Sequence, residues 1–363
     1  MHIPVGICSL SLSLPSIIRT NDYYKEKYPN LVAQSEEKSL ARLMSLVNET
    51  PSNEFEFAMQ PYLKDPFRGT VQRRILGEGE SSLTLEYKAA KDALDAAKLS
   101  PDDVDLIIVS SFLPEQLGFG NAAFLAREMG LKCPAWNLDA HYCSTLIALQ
   151  TASALVQSGT YTNVLVVISC TYSRLADEDD TLSWFLSDGA GAFVVSSLSL
   201  NQGILGAKAI NTSCLCDLLS LKVTEDEQGN QKLRITVAQD MNRIFSNAAG
   251  EMFRTCCEGA ADAAGVTLND INFFVFYTAG AWFAKFYTKI LNVDSNRTID
   301  YYPHYANMGG VASLANLYHA AQLGKIREND LVLLYSYGAA SSACAIVMRW
   351  GDVSLGKAPK SIS

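Results

Sequence analysis

Ala93-Leu94-Asp95-Ala96-Ala97-Lys98-Leu99-Ser100-Pro101-Asp102-Asp103-Val104-Asp105-Leu106-Ile107-Ile108-Val109 aligns without a gap, at an offset of 167, with Ala260-Ala261-Asp262-Ala263-Ala264-Gly265-Val266-Thr267-Leu268-Asn269-Asp270-Ile271-Asn272-Phe273-Phe274-Val275-Phe276. Each copy reads as the end of an Ala-rich helix, a short polar turn and an apolar run of strand length. A second pair follows. Asn163-Val164-Leu165-Val166-Val167-Ile168-Ser169 and Phe193-Val194-Val195-Ser196 fall in the first half, Leu331-Val332-Leu333-Leu334-Tyr335-Ser336 and Ala345-Ile346-Val347-Met348-Arg349-Trp350 in the second. Two copies of one unit predict a duplicated α/β fold, with halves 1–200 and 201–363. The near-continuous apolar strands predict sheets covered by helices on both faces.

Two stretches break the pattern. Residues 23–70, rich in Tyr and carrying Pro51, Pro61 and Pro66, predict an irregular cap on the first half. The polar run Thr224-Glu225-Asp226-Glu227-Gln228-Gly229-Asn230-Gln231 predicts an exposed hairpin or loop. Asp177-Glu178-Asp179-Asp180 reads as a solvated loop rather than a cation site.

Composition narrows the function. The 363 residues are ample for a buried core. With 29 Lys+Arg against 38 Asp+Glu, the net charge of -9 argues against a nucleic-acid binder, which must neutralise phosphates, and against binding to an anionic membrane. No apolar run reaches the roughly 18–20 residues of a membrane helix. Met1-His2-Ile3-Pro4-Val5-Gly6-Ile7 has no basic lead and reads as a first strand rather than a signal peptide. Nine Cys, an odd number without paired CxxC spacing, predict reduced thiols and a cytoplasmic protein. Cys214-Leu215-Cys216 and Cys256-Cys257 lack partners at zinc spacing, so no metal is expected.

The chemistry centres on Asn137-Leu138-Asp139-Ala140-His141-Tyr142-Cys143-Ser144-Thr145-Leu146-Ile147-Ala148-Leu149. Here alternation gives way to helical spacing at Leu146, Leu149, Ala152, Leu155 and Val156. Cys143 is therefore expected where a strand turns into an apolar helix. The positive end of a helix lowers a thiol pKa and favours the thiolate nucleophile. The competing reading is a buried structural Cys.

Other segments fall in a telling order. Ile17-Ile18-Arg19-Thr20-Asn21-Asp22 and Leu106-Ile107-Ile108-Val109-Ser110-Ser111 precede the Cys143 segment. Ser187-Asp188-Gly189-Ala190-Gly191-Ala192, Tyr305-Ala306-Asn307-Met308-Gly309-Gly310-Val311-Ala312-Ser313 and Tyr337-Gly338-Ala339-Ala340-Ser341 follow it. In this order and spacing the chain resembles, over nearly its whole length, the β-ketoacyl-acyl-carrier-protein synthase III branch of the thiolase superfamily. The last three resemble its GDGAGA turn, its GNTSAAS segment and its late glycine-rich turn. The resemblance implies a duplicated thiolase-type fold in five layers, αβαβα. It also implies a Cys-His-Asn triad, with Cys143 taking an acyl group from a CoA or carrier-protein thioester and Asn307 helping to stabilise the enolate of a decarboxylating malonyl thioester. No cofactor is implied beyond the phosphopantetheine thioester of the substrate, and a homodimer is expected.

The departures from the family are informative. Its PHQAN segment falls on Phe276-Tyr277-Thr278-Ala279-Gly280, so Tyr277 stands where the His should be. A phenol with a pKa near 10 donates a hydrogen bond but is a poor base at neutral pH. Losing one donor to a developing oxyanion costs about 3 kcal/mol. Decarboxylative condensation is weakened more than simple acyl relay. His304, three residues before Asn307, and His141, two before Cys143, are the candidate replacement bases. If the strand stays extended, side chains 141 and 143 point the same way. Their bland readings are a loop His and a packed interface His. His319 is expected on a helix surface, and His2 is terminal.

By resemblance, the oxyanion hole is formed by backbone N–H groups at Cys143 and at Gly338, Ala339 and Ala340. Asp188-Gly189-Ala190-Gly191 reads as a structural turn. Phe274, Phe276, Tyr277, Trp282, Phe283, Phe286 and Tyr287 read as part core, part wall of an apolar channel for a pantetheine arm. The leading expectation is an acyltransferase of specialised metabolism, passing an acyl group from Cys143 to a small-molecule or carrier-bound acceptor. The alternatives are a Claisen-condensing synthase and a silent partner subunit of a heteromeric synthase.

Overall fold

The computed structural model describes residues 3–46, 51–225 and 229–359. His2, residues 47–50 of the expected cap, and Asp226, Glu227 and Gln228 of the polar run lie outside the described residues. In chain order the strands are β1 (Val5–Ser13), β2 (Ile17–Thr20), β3 (Gln72–Ile75), β4 (Leu106–Phe112), β5 (Ala135–Asn137), β6 (Val164–Thr171) and β7 (Asp188–Ser197). They continue with β8 (Gly203–Asn211), β9 (Leu219–Glu225), β10 (Gln231–Val237), β11 (Phe273–Phe276), β12 (Leu331–Tyr337), β13 (Ser342–Arg349) and β14 (Ser354–Leu355).

The sequence repeat becomes a repeat of connectivity. One sheet runs β14-β1-β7-β6-β4-β5 and the other β11-β12-β13-β8. In the first, β4 pairs parallel with β6, which pairs antiparallel with β7, which pairs antiparallel with β1. In the second, β11 pairs parallel with β12, then β13 and β8 follow antiparallel. The helix before each repeated turn ends on a left-handed residue, Lys98 after Ser82–Ala97 and Gly265 after Met241–Ala264. Such a residue satisfies the last carbonyls and reverses the chain toward the strand.

Burial accounts for the layering. Every residue of β6, β11 and β12 is buried. Helices Ser144–Gln157 and Val311–Gln322 contact strands of both sheets, so they form the middle layer. Helix Ser82–Ala97 packs on β1, β6 and β7, and helix Met241–Ala264 on β8 and β13, closing a five-layer αβαβα stack. All but two residues of Val311–Gln322 are buried, as a helix apolar all round must be. This corrects the expectation for His319, which is inside, its Nε2 2.7 Å from the Tyr305 hydroxyl and its Nδ1 3.0 Å from Gln322.

One peripheral reading also changes. The expected irregular cap contains the helices Asn21–Lys27, Pro29–Leu46 and Glu54–Met59. Its prolines punctuate rather than prevent helix, and Thr20 and Asn53 accept from the N–H groups of Tyr23 and Glu56 at two helix starts. The acidic run is the exposed loop expected, and it also carries ion pairs. Asp177 meets Arg234 and Lys232, and Glu178 meets Arg19 at 2.9 Å and Lys27 at 2.6 Å. It thereby ties the antiparallel hairpin β9–β10 and the first helix to the body. Among the described residues no helix is long and apolar enough to cross a membrane, and no group of three His, Cys, Asp or Glu is placed to hold a metal.

Gly206 on β8 lets helix Met241–Ala264 approach closely. A Cβ there lies 2.4 Å from the Ala264 nitrogen and 2.6 Å from the Ala260 oxygen, both backbone. Gly206→Ala is expected to lower unfolding stability by roughly 3 kcal/mol, at the upper end for overpacking. Urea denaturation checks this, and an unchanged midpoint contradicts it.

Candidate functional site

A cavity of about 310 Å³ lies under the hairpin and against the C-terminal half. Phe55, Trp282, Phe283 and Tyr337 supply aromatic wall, and Leu218, Leu219, Ile235 and Val237 supply the hairpin side. Its polar groups include Tyr142, Tyr172, Tyr277, Asn307, Asn242 and Tyr302. Arg68 also borders it, with its guanidinium on the backbone carbonyls of Tyr62 and Leu63. Among the described lining residues there is no thiol, imidazole or carboxylate. Tyr277, Trp282 and Phe283 therefore form wall, whereas Phe274, Phe276, Phe286 and Tyr287 belong to the buried core.

Tyr277 and Asn307, which the family resemblance sets in one site, meet. Tyr277 follows β11, and its N–H donates to the Tyr335 carbonyl at 2.9 Å. Asn307 is pinned by its own backbone, which exchanges hydrogen bonds with Phe185 and Ser187 at 3.0 Å each. The Tyr277 hydroxyl donates to Asn307 Oδ1 at 3.1 Å, and the Gly309 N–H donates to the same oxygen at 2.9 Å. Two donors on one oxygen fix the carboxamide orientation and leave its NH2 to meet a ligand. Burial holds the Tyr277 phenol well above its ordinary range, with Tyr337 and Tyr142 adding to the shift. It is a neutral donor at every physiological pH.

The nucleophile segment folds differently from expectation. His141–Cys143 form a 3-10 turn before helix Ser144–Gln157, and His141 has φ +55°. The extended alternation that would align 141 with 143 is broken there. Tyr142 lines the cavity, its ring 5.4 Å from that of Tyr277. The Cys143 side chain instead enters the core, with no exposed surface and its sulfur 3.5 Å from the Ser336 carbonyl. Burial pushes this thiol well above its ordinary value, and Cys344 and Cys256 reinforce the shift. The helix N-terminus does not offset that desolvation.

The expected oxyanion donors are largely engaged. The Cys143 N–H donates to Ala140 at 3.1 Å, Gly338 to Ser342 at 2.8 Å, and Ala339 to His141 Nδ1 at 3.1 Å. His141 is thereby an acceptor at Nδ1, which places the proton of its neutral form on Nε2. Burial lowers its pKa to about 4, against a small opposing effect of Asp139. His141 stacks behind Tyr142, ring centres 3.7 Å apart, and does not line this cavity. His304 does not line it either, and its ring lies 6.4 Å from Tyr301. Asp188 accepts from the Leu76 and Ser173 N–H groups and the Ser173 hydroxyl, a structural role.

The structure thus unites Tyr277 and Asn307 on the cavity wall, and neither Cys143 nor His304 is among the described residues that line it. Sequence reasoning missed Tyr142 as the side chain that faces the cavity and Tyr172 beside it. The signal was the bulk of Tyr142 next to the expected nucleophile, where the resembling family carries small residues. The arrangement offers an apolar wall with neutral hydrogen-bonding groups at one end.

Comparison with known proteins agrees with this architecture. The family described as 3-oxoacyl-[acyl-carrier-protein (ACP)] synthase III matches residues 138–213, and its C-terminal family matches residues 261–350. A β-ketoacyl-[acyl-carrier-protein] synthase III of Gloeobacter violaceus is 31% identical over 292 residues, covering 78% of this chain and 88% of the relative. The crystal structure of the synthase III from Thermus thermophilus has a TM-score of 0.76 at 25% identity, covering 96% of this chain and 99% of that one. The priming β-ketosynthase from the R1128 polyketide biosynthetic pathway has a TM-score of 0.79 at 20% identity, covering 97% of each chain, and shares the fold.

The buried imidazole yields a pH prediction. Its folded pKa, about 4, lies below the ordinary 6.5, so the unfolded chain takes up a proton first as the pH falls. The His141 contribution is full above about pH 6.5 and is lost toward pH 4, roughly 3 kcal/mol in all. Urea unfolding of wild type and His141→Gln is expected to converge by that amount over this window. A constant difference contradicts a buried neutral imidazole.

Proposed function

The chain belongs to the β-ketoacyl-acyl-carrier-protein synthase III family of acyl-transferring, thioester-using enzymes, and on that premise we propose that it transfers its acyl group directly, without storing it on Cys143. The acyl thioester, from CoA or a carrier protein, lies in the cavity with its carbonyl on the Asn307 carboxamide NH2. The single observation that carries this reading is the makeup of that cavity, which meets Asn307, Tyr277 and Tyr142 while the Cys143 sulfur sits in the core. The acceptor nucleophile adds to the carbonyl carbon. The C–S bond then breaks, the electron pair leaves on the thiolate, and the acceptor's proton ends on that thiolate. With no carboxylate or imidazole among the described lining residues, an acceptor that ionises readily, such as a second pantetheine thiol, fits best.

The finer points of this reading go together. The bulky Tyr142 and Tyr277 support a role in specialised metabolism rather than initiation of fatty-acid synthesis. The acidic, thiol-rich chain supports the cytoplasm. The halves 1–200 and 201–363 act as two units around one site. Strand β5 is one of the two edges of the larger sheet, with Trp136 on it and Leu117 and Phe119 exposed nearby, which supports a homodimer joined at that edge.

A second reading is a silent partner subunit of a heteromeric synthase. It is favoured by the engaged backbone N–H groups of Cys143, Gly338 and Ala339.

One experiment separates these. The protein is incubated with acyl-CoAs and N-acetylcysteamine as acceptor, followed by CoA release and intact mass. Direct transfer predicts CoA release without a mass gain, equal in Cys143→Ser, and lowered about a hundredfold in Asn307→Ala. A gain of one acyl mass that disappears in Cys143→Ser overturns direct transfer in favour of relay through Cys143. Neither release nor adduct favours the silent subunit. Sedimentation is expected to show a dimer that Trp136→Glu dissociates, and an unchanged dimer moves the interface elsewhere.

A further inference from the structure

A second cavity, of about 450 Å³, lies on the other side of the nucleophile segment. Its wall includes Phe112, Asp139, His141, Ser341 and the hairpin residues Leu219 and Ile235. Leu219 and Ile235 border the first cavity too, so the hairpin roofs both. Between them stands a double layer of rings. Tyr142 and Tyr172 face the first cavity, and His141 and Phe112 face the second. The layers touch, with His141 3.7 Å from Tyr142 and Phe112 4.8 Å from Tyr172, centre to centre. Phe112 also lies 6.3 Å from Tyr142.

From this arrangement we infer that Tyr142 is a partition that sets acyl-chain length, closing the thioester cavity against a second compartment able to hold further apolar chain. The inference rests on the proposed reading that the first cavity holds an acyl thioester. Its ring position is fixed from both sides. The backbone of its turn is held by the Asp139 carboxylate on the His141 N–H at 2.8 Å, and the Ser336 hydroxyl donates to the Tyr142 carbonyl at 2.7 Å. His141 is in turn held by the Ala339 N–H. A ring so anchored does not swing aside cheaply, because the His141, Phe112 and Tyr172 rings pack around it. The second compartment mixes Phe112, Leu221 and Ile235 with Ser220, Ser341 and the His141 imidazole. It suits an alkyl or aryl tail ending in a polar group.

The test uses S-alkyl-CoA thioethers, which bind but cannot transfer, from methyl to hexadecyl, by titration calorimetry. In wild type the affinity is expected to rise with chain length and then level off. Tyr142→Phe, which keeps the ring, should level off at the same length. Tyr142→Ala should continue to rise past that point, by about fourfold per added methylene buried. A steady rise in wild type across the series overturns the partition, and so does a plateau in Tyr142→Ala at the wild-type length. The wild-type and Tyr142→Phe series decide the matter even if Tyr142→Ala does not fold. Bare CoA and S-methyl-CoA report on the thioester reading alone. If they bind and no plateau is found, only the partition falls. If no CoA compound binds any of the proteins, the thioester reading falls. A crystal structure of Tyr142→Ala then judges the partition, supported by one continuous cavity and overturned by two closed ones.

Discussion

The structure turns on one tight backbone reversal, the 3-10 turn His141–Cys143. His141 occupies the left-handed region, which costs about 1 kcal/mol or more for a residue with a Cβ. The surroundings hold it there. Asp139 accepts from its N–H, Ser144 Oγ accepts from Ala140 N and donates to His141 O, and its ring accepts from Ala339. These contacts decide which of two adjacent side chains meets the cavity. A thiol goes to the core and a phenol takes its place. The chemistry available to the site follows from that exchange.

Apart from the Arg68 guanidinium at the border of the cavity, that chemistry is neutral. Burial raises the phenols of Tyr142, Tyr172, Tyr277 and Tyr337 and the thiol of Cys143, and lowers the imidazole of His141. Desolvation dominates each of these shifts and always favours the uncharged form. A site made of such groups orients a carbonyl and excludes water, but it supplies neither a strong nucleophile nor a base. The acceptor or the substrate must bring the reactive pair of electrons.

Much of the fold was legible because it is written twice. The Ala-rich helix, polar turn and apolar strand at 93–109 and 260–276 became equivalent elements of two sheets with one connectivity. The apolar helix after Cys143 was legible too, although its place in the middle layer was not. Tyr277 and Asn307 were legible as partners only through the family resemblance, which set them at the positions of the family's His and Asn. The side chain facing the cavity was not. Its direction depends on a φ of +55° at His141, set by long-range contacts from Ala339 and Ser336 that no local pattern encodes. The cap was misread because its prolines suggested irregularity, whereas the helix Glu54–Met59 starts at the Asn53 side-chain cap just after Pro51.

The placement of the Cys143 sulfur is open to direct measurement. The native protein is treated with iodoacetamide and its cysteines mapped by peptide mass spectrometry over time. The account predicts early labelling of the exposed Cys214 and Cys216, with Cys143 labelled only as the chain unfolds. Alkylation of native Cys143 as fast as the exposed thiols, blocked by an acyl-CoA, would contradict it and return the thiol to the site.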